Sequence, residues 1–103
     1  MGTATSMIFE EVIEEAKRTF IERNRAYNDG WVVHGEIMAS LFPDGITLNS
    51  PEDFSRFLLL EMCLSKLNRY AQNFESGGHK DSIHDLGIYS FILETYDEIL
   101  KGE

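Results

Sequence analysis

Two carboxylates, Asp81 and Asp85, stand one helical turn apart in "HKDSIHDLGIYSFIL", at the mouth of an otherwise apolar segment, with Gly87 two residues further on. An Asp just after a glycine-rich turn and just before a helix is an ordinary N-cap, so Asp81 is open to two readings, a cap or a ligand contact. Asp85 lies a turn further in and cannot also be the cap. It points to the same side as Asp81 and Tyr89 and is the better candidate for function. A glycine in mid-helix costs about 1 kcal/mol relative to alanine, which predicts that another helix or a ligand passes close to Gly87.

A second set lies upstream, in "FLLLEMCLSKLNRYAQN", which is apolar almost all round. Glu61, Ser65, Asn68 and Gln72 fall at four-, three- and four-residue spacings and share one helical face. Arg69 borders that seam, and Lys66 lies one turn before Arg69 on the adjoining face. Glu61 stands among leucines, where an unpaired carboxylate is expensive to bury. It requires a cation, a metal or a ligand; the plain alternative is a solvated stripe with Glu61 tied to a nearby cation. Lys66 and Arg69 can neutralise phosphate, the guanidinium through bidentate hydrogen bonds. His79, beside Lys80 in a Gly-rich turn, can help to hold an anion. Tyr27 and Trp31 flank "NDG" and suit stacking on a base, although Tyr27 equally continues a core stripe. Lys17, Arg18, Arg23 and Arg25 cluster on the first helix, either as a solvated face or facing a neighbouring subunit's pocket. His34, His79 and His84 have no metal-ligand spacing with Cys63 or with one another, and no serine or cysteine nucleophile motif is visible.

These side chains need helices to position them. Over residues 8–29, Phe9, Ile13, Ala16, Phe20 and Tyr27 recur at helical spacing opposite Glu10, Glu14, Arg18 and Glu22, which predicts an amphipathic helix closed by "NDG". A short helix over residues 32–42 is expected to bury Val33, Ile37 and Leu41 and to end at "PDG". The third helix starts with Ser50 as N-cap, Pro51 at the first helical position and Glu52 and Asp53 at the positive end of the dipole. Its stripe is Phe57, Leu60, Leu64, Leu67, Ala71 and Phe74, broken by "SGGHK". The fourth helix, residues 82–100, carries Leu86, Tyr89, Leu93, Tyr96 and Leu100 on one face with Ile88, Ile92 and Ile99 beside them, a width that implies burial on two sides. "GITLN" alternates but is too short to build a sheet. The fold class is therefore all-α, with the third and fourth helices as a central antiparallel hairpin against which the first packs.

The whole chain sets bounds on partners. Its 103 residues make one domain, expected over residues 7–103, with residues 1–6 disordered or a cloning scar. Such a small core favours self-association, a dimer or tetramer through the wide face of the fourth helix. Eighteen acidic against nine basic residues give a net charge of −9, which repels duplex DNA and an anionic membrane unless the basic residues are gathered in one place, so neither long nucleic acid nor a membrane is an expected partner. No apolar run is long enough to span a bilayer and no basic leader precedes one, so a soluble chain is expected, and a single cysteine, which can form no internal disulfide, makes a cytoplasmic setting the default. Cys63 is the only cysteine, and reads as a buried, inert thiol.

"LSKLNRYAQ" followed by "HKDSIHDLGIY" resembles the paired central helices of MazG-like all-α nucleotide pyrophosphohydrolases. It resembles more closely small phage-encoded proteins of that layout, in which a Lys-x-x-Arg helix precedes an Asp-Ser-x-x-Asp-x-x-Gly-Tyr helix. "RAYND" at residues 25–29 matches an upstream segment of the same proteins. The MazG-like catalytic pattern is Glu-x-x-Glu on one helix and Glu-x-x-Asp on the next, holding Mg²⁺ against a triphosphate. Here Leu64 and Ser82 replace two of the carboxylates, and only Glu61 and Asp85 remain. One Mg²⁺ is compatible with that pair plus substrate phosphates; a two-metal hydrolase is not. The resemblance thus implies a phage protein that binds a small nucleotide and leaves it intact, without a cofactor. Some MazG-like phage proteins act as anti-CBASS sponges for cyclic dinucleotides such as cGAMP. The implied contacts are Arg25, Tyr27, Trp31, Glu61, Lys66, Arg69, His79, Lys80, Asp81, Asp85 and Tyr89. A Mg-dependent nucleoside triphosphate pyrophosphohydrolase and a helical protein-interaction module are the alternatives.

Overall fold

The computed structural model describes residues 3–27 and 30–102, with the side chains of residues 25–27 outside that description. The chain divides into two compact units, Met1–Gly30 and Trp31–Glu103. Every regular element among the described residues is helical, as the periodicity requires.

The first unit holds α1 (Thr3–Tyr27). This helix begins at Thr3 rather than at residue 8, since nothing in "TATS" interrupts a helix that the following stripe stabilises. Glu14 and Lys17 pair along it at 3.2 Å, and Phe9, Ile13 and Phe20 are exposed.

The second unit is built on a hairpin of α3 (Pro51–Gln72) and α4 (Lys80–Lys101). It also takes in α2 (Gly30–Leu41) beyond its first residue. Ser50 caps α3 as its type and place predict: its Oγ accepts from the Asp53 N–H at 3.1 Å, with Pro51 following. The hairpin turn starts earlier than the glycines. Asn73 donates from its side-chain amide to the Arg69 carbonyl at 2.8 Å, and its own carbonyl accepts from the Gly78 N–H at 2.7 Å. A single 3-10 turn, Phe74–Ser76, leads to Gly77 and Gly78, at φ 102° and 90°. That left-handed backbone is open to glycine and strained for other residues. At Gly78 space matters as well, because a Cβ there would meet the Tyr70 ring at 2.6 Å. Tyr70 in turn sets its ring edge-on to Phe74, centroids 6.4 Å apart.

Ion pairs near opposite ends of the hairpin mark an antiparallel register: Arg56 with Asp97 at 2.8 Å and Lys66 with Asp85 at 3.3 Å. Leu64 is the one buried apolar side chain among the described residues, 6% exposed. The expected α3 stripe is half-buried at Phe57 and Leu60 and opens to exposure at Leu67 and Phe74. On α2, Val33 and Ile37 are half-buried, whereas Leu41 is exposed. Residues 45–49 form no strand.

Gly78→Ala is expected to lower stability by about 2 kcal/mol or more, since it adds a ring clash to a left-handed-backbone penalty of roughly 1–2 kcal/mol. Gly77→Ala, which meets open space, should show the backbone penalty alone. Urea denaturation of the two variants, followed by circular dichroism, measures the difference.

Candidate functional site

The hairpin brings Lys66 and Asp85 together across the two helices, 3.3 Å apart, with side chains 23% and 40% exposed. A pair this open contributes only about 0–1 kcal/mol, so it orients the lysine without locking it. The register that joins them sets Arg69 level with the first turn of α4. Arg69 is half-buried and already engaged in an interaction. Lys66, Arg69, His79 and Lys80 thus belong to the same end of the hairpin, with Tyr89 half-buried on α4.

His79 has a structural task. It is the N-cap of α4, its Nδ1 accepting from the Ser82 N–H at 3.2 Å and standing 2.6 Å from the Ser82 Oγ. Accepting at Nδ1 requires the neutral tautomer with its proton on Nε2. This corrects the reading of Asp81 as a cap. α4 begins at Lys80, one residue before Asp81, which sits exposed in the first turn and favours the helix dipole instead. Ser82 has the most buried side chain described, 1% exposed.

Glu61 finds its partner on α2. His34 Nδ1 lies 2.8 Å from Glu61 Oε1, the two side chains 19% and 35% exposed. Glu61 is therefore engaged away from the Lys66–Asp85 pair. Trp31, at the start of α2, is 57% exposed and already has an interaction of its own. Arg25 and Tyr27 lie outside the described side chains. The close approach expected at Gly87 is not found: a Cβ there would meet nothing within 4 Å among the described residues. Cys63 is half-buried, and burial pushes its thiol up from the usual range, which keeps it protonated at neutral pH.

Two features escaped the pattern reading. One is the His34–Glu61 contact. The other is a cleft at the far end of the hairpin, where Phe42, Ile46 and Leu48 of the loop before α3 face Phe57 and Leu93, beside the Arg56–Asp97 pair. Among the described residues, no three His, Cys, Asp or Glu side chains are grouped to hold a metal ion, and no helix is long and apolar enough to cross a membrane.

The fold and its charged hairpin define an all-helical protein in which one end of the hairpin carries both cations and carboxylates. Against protein-family models, curated proteins and solved structures, the chain finds no match.

His79→Ala should destabilise the protein by about 1–2 kcal/mol, the loss of a cap and of a partner for the buried Ser82 hydroxyl. His79→Asn, which keeps a side-chain acceptor at the cap, should recover most of it; thermal unfolding of the three proteins decides. Cys63 should react with iodoacetamide more slowly in the native chain than in urea. Its rate should rise only at a pH above that of the denatured thiol, as the raised pKa demands.

Proposed function

We propose that the protein binds a small nucleotide, a cyclic dinucleotide such as cGAMP, and sequesters it uncleaved, as a phage sponge acting in the host cytoplasm against cyclic-nucleotide immunity. The observation that carries this reading is the weakly held Lys66, paired across the hairpin with Asp85 at 3.3 Å and one turn from Arg69. A ligand with two phosphates offers Lys66 more charge than one half-exposed carboxylate does. Displacement from Lys66 would leave Asp85 an acceptor for the amino group of a base. The net charge of −9 disfavours a long polyanion and leaves room for a compact ligand held by Lys66, Arg69 and Lys80, which share their end of the hairpin with Glu75, Asp81 and Asp85. Of the proposed contacts, His79 is committed to its cap through Nδ1 and offers a ligand only Nε2–H.

The absence of cleavage is part of the proposal. Glu61 and Asp85 each have a side-chain partner, His34 and Lys66, and the position three before Asp85 is the buried Ser82, which serves the cap. The rival Mg-dependent pyrophosphohydrolase would have to draw both carboxylates away from those partners.

A thermal-shift screen of cyclic dinucleotides, cyclic trinucleotides and linear nucleotides, followed by mass spectrometry of the recovered ligand, tests the reading. A true ligand at a hundredfold excess over its Kd raises stability by about 2.7 kcal/mol and is recovered unchanged. Arg69→Ala should weaken it by about 1.5–3 kcal/mol for each charge-assisted hydrogen bond lost. Metal-dependent release of pyrophosphate would replace this reading with the hydrolase. No shift with any nucleotide would leave a helical interaction module, which the exposed apolar side chains also suit.

A further inference from the structure

α4 carries two apolar faces, and α3 covers one of them. Leu86, Tyr89, Leu93 and Leu100 are half-buried towards the hairpin. Roughly 110° around the helix, at 3.6 residues per turn, Ile88, Phe91, Ile92, Thr95, Tyr96 and Ile99 line an open groove. Phe91 is 68% exposed, Ile99 54%, Ile92 45% and Ile88 44%. Single exposed apolar residues need no explanation, but a contiguous helical stripe of this size marks an interaction surface.

The order of side chains along the stripe is self-complementary. Reversed end for end, it sets Ile88 opposite Ile99, Phe91 opposite Tyr96 and Ile92 opposite Thr95. Aliphatic meets aliphatic, aromatic meets aromatic, and a β-branched pair meets in the middle. A two-fold interface needs this property, because the same patch must serve both partners. We infer that this face of α4 docks antiparallel on the same face of a second copy of the chain. The exposed part of the stripe amounts to on the order of 500 Å² per copy, so the pair buries about 1,000 Å², the lower end for specific association. Association is accordingly a concentration-dependent equilibrium. The rim tolerates it: Glu98 is already paired with Lys101 at 3.2 Å, which leaves Glu94 as the acidic residue beside Phe91 and Thr95. A rim charge of this kind is worth little.

Sedimentation velocity of the full chain over a wide concentration range tests the inference. The native chain is expected to pass from monomer to dimer. Phe91→Glu should raise the dissociation constant more than tenfold with its helical circular dichroism intact. A native chain that stays monomeric throughout, or a Phe91→Glu protein that associates as the native one does, overturns it. Oxidative cross-linking checks the register independently of that variant. In a Cys63→Ser background, chains with Ile92→Cys mixed with chains with Thr95→Cys should yield the mixed disulfide dimer in excess of either self-linked product. Predominance of self-linked dimers overturns the antiparallel pairing.

Discussion

The second unit depends on the close packing of α3 against α4 around Leu64 and Ser82, and that packing depends on a turn with room for only one geometry. Asn73 closes α3 by bonding back to the Arg69 carbonyl and forward to the Gly78 N–H. Gly77 and Gly78 then reverse the chain through left-handed backbone, and the Tyr70 ring fills the space that a side chain at Gly78 would need. The His79 cap fixes where α4 starts. Once the start is fixed, every facing pair along the hairpin follows, including Lys66 with Asp85 and Arg56 with Asp97. The ion pairs are results of this register more than causes of it, because pairs as exposed as these add at most about 1 kcal/mol each.

The hairpin was legible in the sequence because its signals are local. Ser50, Pro51 and the acids after them announce a helix start within four residues, and the α3 and α4 stripes are long enough for their period to be plain. The cap of α4 was not legible. Histidine is not among the residues that usually cap, and Asp81 stood two positions later as a more familiar choice. His34 and Glu61 are 27 residues apart, on helices whose relative rotation no local pattern reveals, so the need for a partner could be read from Glu61 but the partner's identity could not. The width of the α4 stripe implied two covered faces, and one of them is covered within the chain.

Gly87 and Ser82 depart from expectation in opposite ways. A mid-helix glycine costs about 1 kcal/mol and invites an explanation by close approach, yet the space around it is open within the described residues. Nothing in the structure explains it. Ser82 is the opposite case. As a departure from a carboxylate pattern it looked like the loss of a function, whereas its side chain completes the cap of α4 and is the most deeply buried of those described.

The open face of α4 and the charged end of the hairpin are not independent places if the antiparallel pairing holds. The register that sets Ile88 opposite Ile99 puts Gly102 of the second copy level with Asp85, since both run down the same helix pair. The end of one copy's α4 would therefore lie beside the Lys66–Asp85 pair of the other. A nucleotide bound as proposed would, by drawing Lys66 off Asp85, change the charge at that rim, and association of the two copies would change what it meets there. Coupling of this sort is reciprocal: whatever factor association contributes to ligand affinity, the ligand must return to association.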